Sequence, residues 1–187
     1  MKNILICLTI LFGINSVSAQ FLDKKKDLIK TEGFFNFHYS EAEGNIYLEV
    51  DKINTEFLYV HSLSTGLGSN DIGLDRGQLG DGVVVKFIKS GNKLLLLQPN
   101  MRYRANTENQ LEKKSVEQAF AKSVLYGFEI KDTISDNYVI DLTPFLMLDA
   151  HQVSQRLKRN KEGTYKLDKS RSSLWMEKTK GFPKNVE

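Results

Sequence analysis

Residues 83–98 read VVVKFIKSGNKLLLLQ, two apolar runs joined by a short polar segment. The segment 89–93 carries a Gly-Asn pair, a sequence typical of a tight connection between two strands. The second run contains four consecutive leucines, so it is apolar on both faces. We therefore predict a β-hairpin whose second strand is central in its sheet and covered on both sides.

Further strands are predicted on either side of this hairpin. Apolar and polar residues alternate over residues 35–39 and 46–50, around a Gly-Asn turn, which predicts another hairpin. Residues 57–63 predict one more strand, and residues 124–130 and 137–142 predict an antiparallel pair.

Two helices are predicted in the second half of the chain. Thr107 and Gln110 match a capping box at the start of a helix over residues 111–123. Thr143-Pro144 predicts the start of a second helix, with Thr143 as its N-cap. One apolar face of that helix consists of Leu146, Ala150, Val153 and Leu157. The predicted fold class is α+β, a mainly antiparallel β-sheet with two packing helices.

Length and composition exclude several classes of protein. The 187 residues are 41% hydrophobic, enough for one domain with its own core. Lys and Arg number 26 against 23 Asp and Glu, a balance that predicts no nucleic-acid partner. Cys7 is the single cysteine, so a disulfide framework is excluded.

The first residues have the pattern of a secretory signal peptide. A positively charged start precedes an apolar run over residues 4–14, and small residues stand at Val17 and Ala19. The run is shorter than the ~20 residues that span a bilayer. We predict a signal peptide over residues 1–19, then a charged lead-in over 20–32 and a domain over 33–187. The mature chain is expected to be exported to the periplasm, cell envelope or exterior, with no membrane contact after cleavage.

The three histidines do not form a recognisable metal motif. His151 lies in the second predicted helix, but the Glu and the second His of a helical zinc-protease motif are missing. His38 and His61 lie in strand patterns. No thiol remains after signal cleavage, and no Gly-x-Ser-x-Gly motif occurs. We predict no catalytic, cofactor-binding or metal-binding residue in this chain.

The most unusual segment is residues 66–82, which holds six of the 13 glycines. Asp71, Asp75 and Arg76 are its candidate functional residues. Three interpretations remain open: a structured loop with an internal Asp–Arg pair, a surface on which a partner docks, or an ion site. We hypothesise that the loop is ordered and that a nearby carboxylate holds Arg76.

Arg102, Tyr103 and Arg104 form a second candidate surface, in a segment expected to be a short strand or extended. Aromatic residues between arginines bind nucleic acid or glycans in other proteins. The more common outcome for so short a charge cluster is a solvated strand face.

Several segments together resemble one known family. They are residues 57–63, 66–79, 98–104, 115–125, 165–172 and 182–185. Over roughly residues 30–187 the chain resembles the N-terminal domain of unknown function in large exported bacterial zinc-dependent metalloproteases. In those proteins a metzincin-like catalytic domain with a long His-Glu-x-x-His motif follows.

The resemblance implies a non-catalytic accessory domain of an exported zinc metallopeptidase. Zinc is then expected only in the missing catalytic domain, which is the implied partner in cis. The tail at residues 182–187 shows no predicted helix or strand, so we expect a chain truncated at its C-terminal end. The alternative is an independent exported binding module for glycan or peptide.

Overall fold

The computed structural model describes residues 21–68 and 70–187. The predicted signal peptide and its cleavage site lie outside the described residues. Among the helices of the described part, none is long and apolar enough to cross a membrane.

The fold is dominated by one eight-stranded antiparallel sheet, with strand order β1-β2-β3-β8-β7-β6-β5-β4. Its strands are β1 (Leu28–Thr31), β2 (Asn36–Ser40), β3 (Asn45–Val50), β4 (Phe57–Tyr59), β5 (Val83–Ser90), β6 (Lys93–Gln98), β7 (Ser123–Ile134) and β8 (Asn137–Asp141). The predicted class, mainly antiparallel β with a few helices, is confirmed at this level.

The hairpin predicted over residues 83–98 is formed by β5 and β6. Ser90 pairs with Lys93 at its turn, and Gly91 there has φ 58°, a conformation that favours glycine. β6 lies between β5 and β7 and buries Leu94, Leu96 and Leu97. The predicted central, covered strand is therefore confirmed.

The sheet curls so that its two ends share one core. Phe35, next to β2, lies 5.2 Å from Phe57 of β4 between ring centroids, although these strands are far apart in the sheet order. Phe35 also contacts Phe87 of β5 at 5.8 Å. The buried cluster is Phe35, Phe37, Ile46, Leu48, Val50, Val85, Phe87, Leu94, Leu96, Phe128 and Ile140. Edge-to-face ring packing at these distances closes the core across the curl.

The first predicted helix is shorter than expected and begins differently. Helix α1 spans Gln110–Ala119, and its N-cap is Asn109, whose side chain accepts from the Leu111 amide at 2.9 Å. The predicted N-cap was wrong because the Thr107 hydroxyl instead accepts from the Asn109 amide, before the helix begins. α1 contains no buried residue.

The second predicted helix is two short helices, α2 (Thr143–Leu146) and α3 (Val153–Arg159). Thr143 is not the N-cap, because its hydroxyl accepts from the Ile46 amide of β3 at 2.9 Å. The chain breaks between the helices, with Gln152 in the left-handed region at φ 53°. The continuous apolar face predicted through Leu157 is therefore wrong.

Both ends of the described chain contain strands that the pattern did not indicate. The charged segment 20–32 ends in β1, which pairs with β2. The final residues form a small hairpin of β9 (Gly181–Phe182) and β10 (Asn185–Val186). Its Phe182 carbonyl accepts from the Phe34 amide at 2.7 Å, which ties the tail to the sheet.

Candidate functional site

The glycine loop, residues 66–82, belongs to the connection between the paired strands β4 and β5. Leu63 and Gln78 exchange two backbone hydrogen bonds, and the Leu67 amide donates to the Leu74 carbonyl at 2.6 Å. A Cβ added at Gly66 would lie 2.1 Å from the Asp75 carbonyl oxygen. Only glycine permits this close approach of the two legs of the loop.

Helix α3 fixes the tip of the glycine loop to the body of the domain. The Arg156 guanidinium donates through Nη1 to the Ile72 carbonyl at 3.0 Å and through Nε to the His151 carbonyl at 3.1 Å. The Asn160 side chain donates to the Asp71 carbonyl at 2.7 Å. Beneath these bonds, Ile72 and Leu74 are buried. The loop is therefore held in one conformation by apolar burial as well as by polar contacts.

The three residues singled out in this loop have different surroundings. Arg76 pairs with Asp75 at 2.9 Å, so the predicted internal Asp–Arg pair is present, but 80% of the Arg76 side chain is exposed. Asp71 takes part through its backbone carbonyl. Within residues 21–68 and 70–187, no group of three or more His, Cys, Asp or Glu side chains is arranged to hold a metal ion.

The glycine loop and the neighbouring strand β4 expose both apolar and charged side chains. Leu67 and Leu79 are exposed on the loop, Leu79 to 86%, and Leu58 is exposed on the neighbouring edge strand β4. Leu58 contacts the loop end, since a Cβ at Gly82 would lie 3.0 Å from its side chain. We call Leu58, Leu67, Leu79 and Arg76 the loop face.

Asp149 connects this region to the start of α3. Its carboxylate accepts from the Val153 amide at 2.8 Å and from the Ser154 amide at 2.9 Å. Burial alone would raise the pKa of Asp149, but these backbone hydrogen bonds outweigh it and hold the pKa below its ordinary value of 3.8. The ionised carboxylate thus stabilises the helix that anchors the glycine loop.

His61 and His151 lie together although they are far apart in sequence. Their ring centroids are 5.3 Å apart, and Tyr59 lies 6.2 Å from His61. Burial raises the pKa of the Tyr59 hydroxyl. The sequence pattern predicts His61 in a strand and His151 in a helix. Both lie in connections instead, because β4 ends at Tyr59 and the predicted helix is interrupted.

The second candidate surface belongs to another long connection, which we call the arm, residues 99–122. It joins β6 to β7, whose ends pair at Gln98 and Ser123. Of the short strand or extended segment predicted near residues 101–105, no strand is formed, and the Asn100 side chain accepts from the Arg102 and Tyr103 amides. Residues 101–104 are exposed, so the segment is solvated although it is not part of the sheet.

Two aromatic rings close the arm on itself. Tyr103 stacks on Phe120 with centroids 4.0 Å apart and planes 12° apart. The Arg102 guanidinium lies 5.6 Å from the centroid of Tyr103, and Arg104 donates to the Met101 sulfur at 3.1 Å. Phe120 falls within the helix predicted over residues 111–123, but it lies just after α1 and packs against Tyr103.

A groove of about 360 Å³ lies between the arm and β5. It is lined by Lys86, Pro99, Asn100, Tyr103, Arg104, Ala105, Lys113, Val116, Glu117, Phe120 and Lys122. The sequence pattern indicates Tyr103 and Arg104 but not the lysines, which come from β5, α1 and the end of the arm. Because each lysine lies on a different element, no local sequence pattern connects them.

Comparison with protein families gives two matches. Residues 23–66 match the domain of unknown function DUF5118, and residues 77–187 match the domain of unknown function DUF5117. Neither a search of curated proteins nor a search of solved structures gave a match.

The two matched regions share one sheet. β3, from the DUF5118 region, pairs with β8, from the DUF5117 region, and β4 pairs with β5 in the same way. The tip of the glycine loop lies between the two matched ranges. Because the DUF5117 model covers more than half of the sequence, the chain belongs to the family of the domain of unknown function DUF5117.

Proposed function

We propose that this chain is a non-catalytic accessory domain that docks through its loop face onto the catalytic domain of an exported zinc-dependent metallopeptidase. The observation that carries the proposal is the anchored glycine loop. Its backbone is held by Arg156 and Asn160, yet Leu67, Leu79 and Arg76 point outward into solvent.

A loop ordered in advance is suited to binding. Fixing a residue's backbone costs about 1–2 kcal/mol, and here the fold of the domain meets that cost before a partner arrives. Exposed leucines and an exposed arginine in one loop also match the usual interface, in which apolar contacts provide affinity and charges orient the partner.

Arg76 is the residue best placed to recognise a partner. Its exposed pair with Asp75 contributes only about 0–1 kcal/mol to folding, so the guanidinium is free to bind a second carboxylate. The kind of partner follows from the resemblance of residues 30–187 to the front domain of these proteases. In this proposal the zinc belongs to the partner, which supplies the hydrolytic chemistry.

The test is binding between the mature chain, residues 20–187, and a catalytic domain that carries His-Glu-x-x-His and is encoded in the same genome next to it or in frame with it. Calorimetry is expected to show a complex that Arg76→Ala weakens about tenfold, the effect of one charged hydrogen bond. The melting temperature of the isolated chain should hardly change.

Arg171→Ala is the matched control. Arg171 is 83% exposed and pairs with Asp168 at 2.9 Å, as Arg76 does with Asp75, but it lies in the tail. Equal weakening by both variants, or no complex at all, would refute docking through the loop face. A large drop in melting temperature for Arg76→Ala would show that the arginine is structural instead.

A further inference from the structure

The groove beside the arm concentrates positive charge that the rest of the domain does not neutralise. Lys86, Arg104, Lys113 and Lys122 line it, against the single carboxylate of Glu117. Across the described residues, none of these four cations lies within 4.0 Å of a carboxylate. Like charges gathered around one cavity repel, and an anion that enters it relieves this repulsion.

The cations come from separate elements and are held at different depths. Lys86 on β5 and Lys113 on α1 are half-buried, whereas Arg104 and Lys122 are exposed at the arm. A partly desolvated cation attracts an anion more strongly than an exposed one, because solvent screens it less. Lys86 and Lys113 are therefore the principal anion-binding groups.

Apart from Asn100 and Glu117, the remaining wall of the groove is largely apolar. Val116 and Pro99 contribute aliphatic surface, and the stacked rings of Tyr103 and Phe120 contribute aromatic surface. Phe120 already covers one face of Tyr103, and the Arg102 guanidinium lies over the same ring. Sugars and nucleobases need a free ring face on which to stack. The stack therefore leaves less ring surface for such ligands, and the ring pair adds apolar wall to the groove.

We propose that the groove binds an acidic peptide segment. Its carboxylates lie against Lys86 and Lys113, with Arg104 and Lys122 at the rim, and its apolar side chains pack on Val116 and the ring pair. A peptide supplies both chemistries in one extended chain, whereas an anionic glycan or a nucleic acid supplies charge without the apolar side chains. The groove shares no residue with the loop face, so the two proposals can be tested independently.

The test uses the mature chain alone, with no docking partner present. The probe is a short fluorescein-labelled peptide of alternating Glu and Leu, followed by fluorescence anisotropy at low salt. We expect this peptide to bind at least about tenfold more tightly than the same peptide with Gln in place of Glu. Its affinity should fall as the salt concentration rises. Equal binding of the Gln peptide would overturn the proposal.

Charge removal inside and outside the groove locates the site. The double variant Lys86→Gln/Lys113→Gln is expected to weaken binding about tenfold or more, and Lys122→Gln to weaken it less. Lys114→Gln/Lys158→Gln removes the same charge from two helices without touching the groove, and should change binding less than about twofold.

Two results would count against the proposal. Equal weakening by both double variants would mean that binding depends only on the overall charge of the domain. Tighter binding of polygalacturonate or of single-stranded DNA, with displacement of the peptide, would assign the groove to a glycan or to nucleic acid instead.

Discussion

The glycine loop and the arm both belong to long connections between strands that are hydrogen-bonded neighbours, yet they are stabilised differently. The glycine loop buries Ile72 and Leu74 and accepts hydrogen bonds from α3. The arm contains a helix with no buried residue, and its main internal contact is the stack of Tyr103 on Phe120. The loop is thus part of the domain's cooperative structure, whereas the arm is closed mainly on itself.

This difference sets what each region is suited to do. A segment tied to the core presents one fixed surface, as a docking face requires. A segment held by one local stack opens at lower free energy than the core unfolds, which suits a groove that admits a ligand. Substitutions in the two regions should therefore have different effects on global stability.

The largest contrast is expected between two leucines. Leu74 in the glycine loop is fully buried, whereas Leu111 in the arm is 76% exposed. Leu74→Ala should lower the free energy of unfolding by about 2–4 kcal/mol through lost burial and the cavity that remains. Leu111→Ala should stay within about 0.5 kcal/mol of the parent. Urea denaturation measures both, and similar losses would contradict the division between the two regions.

Arg156 is expected to have the next largest effect. Arg156→Ala removes the donors to the Ile72 and His151 carbonyls, which should cost about 1–2 kcal/mol. Hydrogen exchange should become faster at the Leu67 amide, which bonds across the glycine loop, and stay unchanged at Phe120 in the arm.

Arg156→Lys is the control for charge, since it keeps the cation but loses the planar pair of donors. The free energy of unfolding of Arg156→Lys should lie between that of the parent and that of Arg156→Ala. Faster exchange at Phe120 as well as at Leu67 would show that the arm and the glycine loop open together.

Local patterns predicted the strands far better than they predicted the sites. The hairpin of residues 83–98 follows from alternation and a turn, both of which act between near neighbours in sequence. The contact of His61 with His151 depends on how distant elements pack, and so does the groove that Lys86 and Lys113 both line. The sequence pattern also fails at Thr143, because its hydroxyl accepts a hydrogen bond from the Ile46 amide of a distant strand instead of capping its own helix.

A smaller effect is expected from the ring stack of the arm. Tyr103→Ala should cost about 0.5–1.5 kcal/mol of local stability, the usual worth of an aromatic pair. Exchange should become faster at the Phe120 amide and remain unchanged at Leu67. Tyr103→Phe keeps the stack and should behave as the parent does; if it matches Tyr103→Ala instead, the hydroxyl rather than the stack stabilises the arm.

The smallest effect expected is a dependence on acid confined to the glycine loop. Backbone hydrogen bonds from Ser154 and Val153 overcome the effect of burial and hold the pKa of Asp149 below 3.8. A group whose pKa is lowered by folding stabilises the fold fully above its ordinary pKa, and this stabilisation is lost as the pH falls through the folded value. Protection of the Leu67 amide from exchange should therefore fall as the pH drops below about 4.

Asp149→Asn separates this titration from general acid unfolding. Asparagine carries no charge and has one acceptor oxygen, so it can accept from only one of the Val153 and Ser154 amides, and the variant should lose about 1 kcal/mol at neutral pH. Its deficit relative to the parent should shrink as the pH falls, because acid removes the same charge from the parent. Asp168→Asn is the matched control: the pKa of Asp168 is also lowered, chiefly by Ser170, but it lies in the tail and should not alter exchange at Leu67. A constant deficit for Asp149→Asn at every pH would mean that the lost hydrogen bond, and not the charge of the carboxylate, holds α3 and the loop in place.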